Sequence, residues 1–355
     1  MTRFRLKIIS LSLAVLLAIP LFLSCSQSAS DTDRISAYAS PYKLNIFTWE
    51  VKNLAKEIFE PVLHGQKDSA DSEEKLIESR VREEFSAQGI YNPAGNFLKI
   101  GFPPMTLFLG PPPDILIVSP RDKIEAIDEI TLKPNMTAEE MAKLEGEIEK
   151  LGYSALVDKL GGLATVPAWV SNEGNTKFIL ESTAHEWVHQ YLAFTPLGFR
   201  YVMDETGIQQ NADVITLNET VADIIGNEIG NAVYQKYYAL STSSSNTTVS
   251  SSFDFNSTMR NIRKTVDKYL AKDEIDAAEK YMNEQRDYLA ANGYNIRKLN
   301  QAYFAFYGTY ADSPTSSSPI GGELNNLRNR SASLKDFLDK VSGMTSMADL
   351  EKAVR

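Results

Sequence analysis

Residues Lys177 to Phe194 read KFILESTAHEWVHQYLAF, and within them Ala184-His185-Glu186-Trp187-Val188-His189-Gln190 carries the chemistry. Leu180, Ala184, Val188 and Leu192 recur every four residues, which predicts one helix with a single apolar stripe. His185 and His189 step by the same interval on an adjoining face. Their imidazoles therefore stand one turn apart and can share one zinc ion. Glu186 follows the first histidine and projects about 100° further round the helix. Its carboxylate then lies beside the metal rather than on it, where it can take a proton from activated water. The competing reading is a helix that carries two histidines only for packing, one of them against Trp187. The chain has three histidines in all, and two stand at this spacing in an amphipathic helix, which favours the metal site.

A catalytic zinc needs a third protein ligand and an open position. His64, far upstream beside Gly65, reads better as the end of a helix. The ligand is then expected from a downstream carboxylate: Asp204, Glu205, Asp213 or Glu219. Glu219 is the best placed, because it opens a second helix whose apolar face runs Leu217, Val221, Ile224, Ile225 and Ile229. Asp223 is one turn beyond it on the same face and can accept a hydrogen bond from the free nitrogen of a liganding histidine. Gly226 and Gly230 would let this helix approach the first closely. Taken alone, Glu219 and Asp223 would read as a solvated acidic helix start; the histidine pair upstream turns the reading toward ligation.

Further outward, the chain of 355 residues is 43% hydrophobic and 23% charged, with a formal net charge of −10. So acidic a chain, without a basic stripe, lacks the footprint that nucleic-acid binding requires, and no nucleic-acid partner is expected. Arg3, Arg5 and Lys7 precede an apolar run from Ile8 to Leu23, then Ser24-Cys25 and a polar stretch. That is the pattern of a secretion leader. Cys25, the only cysteine, stands where the lipobox of bacterial lipoproteins would be cut and lipidated. The alternative is an uncleaved anchor, for which the run is short and carries Pro20. The expectation is an exported protein held at the cell membrane or envelope through lipid on Cys25, folding without disulfides.

The organisation expected is a lipoprotein signal at residues 1–25, a tether at 26–40, a helical and strand-bearing region at 41–162, a catalytic core at 163–240, a Ser/Thr-rich linker at 241–256 and a helical region at 257–355. Within it, Leu44, Phe47, Val51 and Leu54 recur at helical spacing, and Ser72 to Ala87 is amphipathic. Ile115 to Val118 reads as a buried strand. Thr137 and Glu140 form a capping box, and a short helix is expected before Gly161-Gly162. Leu163 to Val170 reads as a strand, and Pro167 within it argues for a sheet edge. Helical patterns resume over 257–272, 273–291, 295–310, 334–341 and 347–354. The fold class expected is α+β, mostly helical.

His-Glu-x-x-His followed by Asn218-Glu219-x-x-x-Asp223 resembles the gluzincin metallopeptidases, the clan of thermolysin and many aminopeptidases. The resemblance covers some forty residues. It implies His185, His189 and Glu219 as zinc ligands, Glu186 as the catalytic base and Asp223 as the residue that orients a histidine. It also implies a zincin-like core with a small edge-strand-bearing sheet. A second likeness, to predicted bacterial lipoprotein aminopeptidases, rests on the leader with Cys25, the His189-Gln190 pair, and Leu299-Asn300-Gln301-Ala302 leading to Gly308-Thr309-Tyr310. The Gly-x-Met-x-Asn substrate motif of better-known zinc aminopeptidases is missing upstream. In gluzincins an edge strand ahead of the metal helix pairs with the substrate backbone, and Ala164 to Val170 stands in that place. A side chain must also steady the oxyanion; Tyr303, Tyr307 and Tyr310 share one face of an expected helix, and Tyr310 is the choice. The function expected is zinc-dependent hydrolysis of a peptide or protein substrate, with aminopeptidase ahead of endopeptidase. The rival is a non-catalytic, zinc-containing surface-binding lipoprotein, against which the intact Glu186 argues.

Overall fold

The computed structural model describes residues 30–53, 72–93, 101–205, 211–239, 253–311 and 313–355. The expected leader with Cys25, the His64 helix end and most of the Ser/Thr-rich tract lie outside them. The chain divides into two units, Met1–Ala37 and Tyr38–Arg355. Helix α1 spans Asp31–Ala39, so the stretch expected as a tether is largely helical. Its start explains why: the Ser30 hydroxyl accepts from the Asp33 N–H while donating to the Asp33 carboxylate, and Asp31 and Asp33 suit the positive end of the helix dipole.

The second unit is α+β. Helix α2 (Glu73–Ala87) is capped by Ser72 and buries Ile77, Val81 and Phe85. Strands β1 (Leu107–Gly110), β2 (Asp114–Pro120) and β3 (Asp128–Leu132) follow, then α3 (Ala138–Glu149), whose Thr137–Glu140 capping box is present as the sequence indicates. Three more strands, β4 (Tyr153–Lys159), β5 (Gly162–Leu163) and β6 (Ala168–Ser171), lead into the helices of the site. One sheet is antiparallel in the order β3-β2-β4, with Leu116 opposite Ile130 and Val157. The other has the order β1-β6-β5, with β6 parallel to β1 and antiparallel to β5.

Two local expectations are corrected. Residues before Gly161, expected as a short helix, form β4. Ala155, Leu156 and Val157 are all buried, so the run lacks the alternation that distinguishes strand from helix. The single strand expected over Leu163–Val170 is two strands, β5 and β6, separated by a turn in which the Thr165 hydroxyl bonds the Leu163 and Pro167 carbonyls. Moreover, β6 is the middle strand of its sheet and β5 is the outer one.

Helices α4 (Thr176–Leu192), α5 (Pro196–Glu205) and α6 (Ala212–Tyr237) carry the site. The C-terminal part contributes α7 (Phe255–Leu270), α8 (Ile275–Ala291), α9 (Gln301–Tyr307), α10 (Ile320–Arg330), α11 (Leu334–Ser342) and α12 (Met347–Val354). The helix expected over 295–310 is confined to α9, since Asn300 caps its start and Gly308 closes it. Two cores result. One joins α4 and α6 to α2 and α10–α12. The other packs α7–α9 on Ile115, Ile117 and Leu156 of β2 and β4. Among the described residues no helix is long and apolar enough to cross a membrane.

Candidate metal centre

Helix α4 begins at Asn175, whose side chain accepts from the Phe178 N–H at 3.0 Å. Its stripe of Leu180, Ala184, Val188 and Leu192 is buried, and its principal partner is α6. The two helices meet where α6 has no side chain. A Cβ on Gly226 would lie 3.0 Å from the His185 Cβ and the Glu181 carbonyl oxygen, and one on Gly230 only 2.6 Å from the Glu181 Cα and backbone nitrogen. The glycines set the helix separation and bring the carboxylates of α6 to the imidazoles of α4.

Three ligand-type atoms converge there. The Nε2 atoms of His185 and His189 are 3.0 Å apart, and Glu219 Oε2 lies 3.6 and 3.4 Å from them. The second nitrogen of each ring is engaged: His185 Nδ1 is 2.9 Å from Asp223 Oδ1, and His189 Nδ1 is 2.7 Å from Asn218 Oδ1. These acceptors hold a proton on each Nδ1 and turn each Nε2 lone pair toward the centre. At 3.0 Å the two Nε2 atoms need a proton or a metal ion between them. The three separations average about 3.3 Å, close to the ~3.3 Å edge of a tetrahedron around an ion with ~2.0–2.1 Å ligand distances. Among the described residues, His185, His189 and Glu219 form the group that could hold a metal ion.

The electrostatics agree with a cation site. Burial alone would lower the His185 pKa, but hydrogen bonds to Asp223 and Glu219 raise it well above the usual imidazole value. His189 is raised too, its burial outweighed by Glu219. Burial acts to raise the Glu219 pKa, yet the two histidines hold it far below the usual carboxylate range. Glu186 behaves differently. Burial pushes its pKa up, the histidines only partly offset this, and its carboxylate makes no hydrogen bond among the described residues. It packs on β5: a Cβ on Gly162 would meet its Oε1 at less than van der Waals distance. A buried carboxylate with a raised pKa beside a cation site is equipped to accept and return a proton.

Sequence reading missed two residues. Asn218, almost fully buried, fixes the His189 ring; its signal was its place next to Glu219. Tyr201 on α5 donates to Glu219 Oε1 at 3.0 Å and stacks on the His189 ring at 17°. Nothing local in α5 marks it. Of the three tyrosines weighed, Tyr307 is drawn to Asp158 at 2.9 Å and Tyr303 lies in the second core. Tyr310 sits beyond the end of α9, 6.5 Å between ring centroids from His185. The Ala311 N–H, bonded to the Thr220 hydroxyl at 3.1 Å, moors it to α6. Burial, then the charges of Glu219, Asp223 and Glu186, keep its hydroxyl protonated well beyond the ordinary phenol range. Asp213 is exposed in the first turn of α6 and takes no part; the side chains of Asp204 and Glu205 lie outside the description. A cavity of about 220 Å³ opens on His185, Glu186, Asp223 and Tyr310, floored by Gly161 and Gly162.

The loop between β5 and β6 is held from both sides. Gln190, next to His189, donates to the Thr165 carbonyl, and the buried Glu50 accepts from the Val166 N–H at 3.0 Å. The outer strand is thereby fixed against the helix that carries Glu186. Comparison of the chain with protein-family models, with curated proteins and with solved structures finds no match.

Proposed function

We propose that this chain is a zinc metallopeptidase with a gluzincin-like centre in a zincin-like core, exported and held at the cell envelope by lipid on Cys25. The observation that carries the reading is the convergence of two imidazole nitrogens and one carboxylate, beside a buried carboxylate that has no hydrogen-bond partner among the described residues. His185, His189 and Glu219 would hold the zinc ion. When bound, zinc supplies Lewis acidity toward a peptide carbonyl and lowers the pKa of water. The Glu186 carboxylate accepts the proton of the attacking water and returns it to the leaving amine. Asp223 and Asn218 keep the imidazoles in the ligating tautomer. The Tyr310 hydroxyl, without a hydrogen bond among the described residues, is the donor for the developing oxyanion. The substrate backbone would pair with the edge of β5 that has no strand partner among the described residues, and not with Ala164–Val170, the stretch for which the resemblance implied this role, since β6 within it is the middle strand.

Zinc content and hydrolysis of a mixed peptide library test this together. Glu186→Gln should keep about one zinc per chain and lose turnover by a factor on the order of 10²–10⁴. Glu219→Gln should lose zinc itself. Zinc binding by the wild type without cleavage of any peptide would favour a non-catalytic surface-binding lipoprotein instead.

A further inference from the structure

Helix α7 buries Met259, Ile262 and Val266 in the second core and turns Arg260, Lys264 and Lys268 outward. The three recur every fourth residue, so they stand one turn apart in a row about 12 Å long. This basic stripe escaped the sequence reading because no consecutive run of cations announces it; only the helix aligns residues so spaced. The row stands out in a chain of net charge −10 because it is unpaired. Elsewhere arginines and lysines are mostly matched: Arg121 with Glu279, Lys159 with Glu173, Lys236 with Glu83, Arg328 with Glu228. Arg260, Lys264 and Lys268 have no carboxylate within ion-pair distance among the described residues. Neighbouring acids do not cancel them. Asp267 on the same helix is bound by Arg263; on α8, Asp276 goes to Arg121, Glu284 to Lys280 and Asp287 to Arg286. Lys272, in the turn that follows, adjoins Asp273 and Glu274 and is not counted in the row. The tract before the helix, 241–252, contains no charged residue.

The shape of the row selects its partner. The outer face of a helix is convex, so its donors do not converge on a small anion. A nucleic-acid duplex is longer than the row and would run on over acidic surface. A plane of anionic groups meets the row at every turn, and carboxylates beyond the screening length of about 8 Å at physiological ionic strength oppose it little. We propose that the outer face of α7 docks on an anionic lipid surface, with Arg260, Lys264 and Lys268 against the headgroup phosphates. The proposal stands apart from the metal centre and does not need lipid on Cys25. Each cation held near such a surface strengthens binding about fivefold, and three together roughly a hundredfold.

The test uses the full chain with Cys25→Ala, which leaves no other cysteine, and a fluorescent label on Asn261→Cys, an exposed position within the row. A second protein carries the label on Ser79→Cys instead, exposed on α2 of the first core. Both are mixed with vesicles of phosphatidylcholine, with or without phosphatidylglycerol, that bear a quencher on some headgroups. The label at 261 should be quenched at least about fivefold more by the phosphatidylglycerol vesicles than by the neutral ones, and the label at 79 equally weakly by both. Arg260→Gln, Lys264→Gln and Lys268→Gln together, glutamine being a comparable helix former, should abolish the difference at 261, as should high salt. Because two positions of one chain are compared, attachment through the apolar run of residues 8–23 cannot by itself produce this pattern. Equal quenching at 261 and 79, or a preference for phosphatidylglycerol that survives the triple variant, would overturn the proposal. So would binding of a DNA duplex that the triple variant loses while vesicles leave residue 261 unquenched, which would assign the row to a polyanion.

Discussion

His185 leans on a carboxylate and His189 on an amide, and that difference of one charge sets what each partner contributes. Asp223→Asn keeps a hydrogen-bond acceptor but removes the charge, and an amide can also present its N–H₂ to the ring. Metal affinity, read by competition with a chelator, should fall roughly 10–100-fold, as it does when such orienting partners are lost. Asn218→Ala leaves the His189 Nδ1–H without its acceptor in a buried site, costing roughly 1–3 kcal/mol, and its metal loss should be comparable. An Asp223→Asn protein that binds zinc as tightly as the wild type would show that the ring is held by packing alone. Glu219 carries a further restraint, the Tyr201 hydroxyl on its other oxygen.

At the scale of elements, the approach of α6 to α4 is the controlling distance. Alanine is the better helix former by up to about 1 kcal/mol, so Gly→Ala inside a helix ordinarily stabilises. At Gly146 of α3 a new Cβ meets nothing within 4 Å, and Gly146→Ala should raise thermal stability. At Gly230 the same change meets backbone atoms of Glu181 at 2.6 Å. There overpacking of about 1–3 kcal/mol outweighs the propensity gain, and Gly230→Ala should lower stability and metal affinity together. Calorimetry of the two variants gives opposite signs if the contact controls the helix pair. The two helices of the triad and α3 were legible in the sequence because their evidence is local: a four-residue stripe, two histidines at that spacing, and the Thr137–Glu140 capping box; α5 and α10 were not expected, and α1 was expected as a tether. The strands were less so. β4 is covered on both faces by α3 and α9, so its pattern does not alternate, and β1 and β3 are short and flanked by loops. Tyr201 and Tyr310 reach the centre by tertiary placement, which no periodicity records.

For the molecule as a whole, the triad ties α4 to α6 in the middle of the larger core, so metal occupancy is coupled to global stability. Zinc at a thousandfold excess over its dissociation constant would add about 4 kcal/mol, and chelation should lower the melting temperature by several degrees, restored by adding zinc back. A melting temperature indifferent to chelator would argue against an occupied site. Cys25 bears on location: Cys25→Ala should shift the protein from the membrane to the soluble fraction or leave it unprocessed, and mass spectrometry of the wild type should find lipid on that residue. The expected boundary at 257 does not separate a domain, because α7–α9 cover the β2–β4 face while α10–α12 return to the core of α4 and α6. The mooring of Tyr310 to Thr220 through Ala311 has a consequence in time. Translation delivers both histidines and Glu219 within one short interval, long before residue 311 exists. The wall of the cavity that bears Tyr310 is therefore synthesised well after the residues of the triad, and α10–α12, which complete the core around α4 and α6, come later still. On the proposed reading, the residues that would hold the ion are synthesised before the tyrosine that would serve the oxyanion.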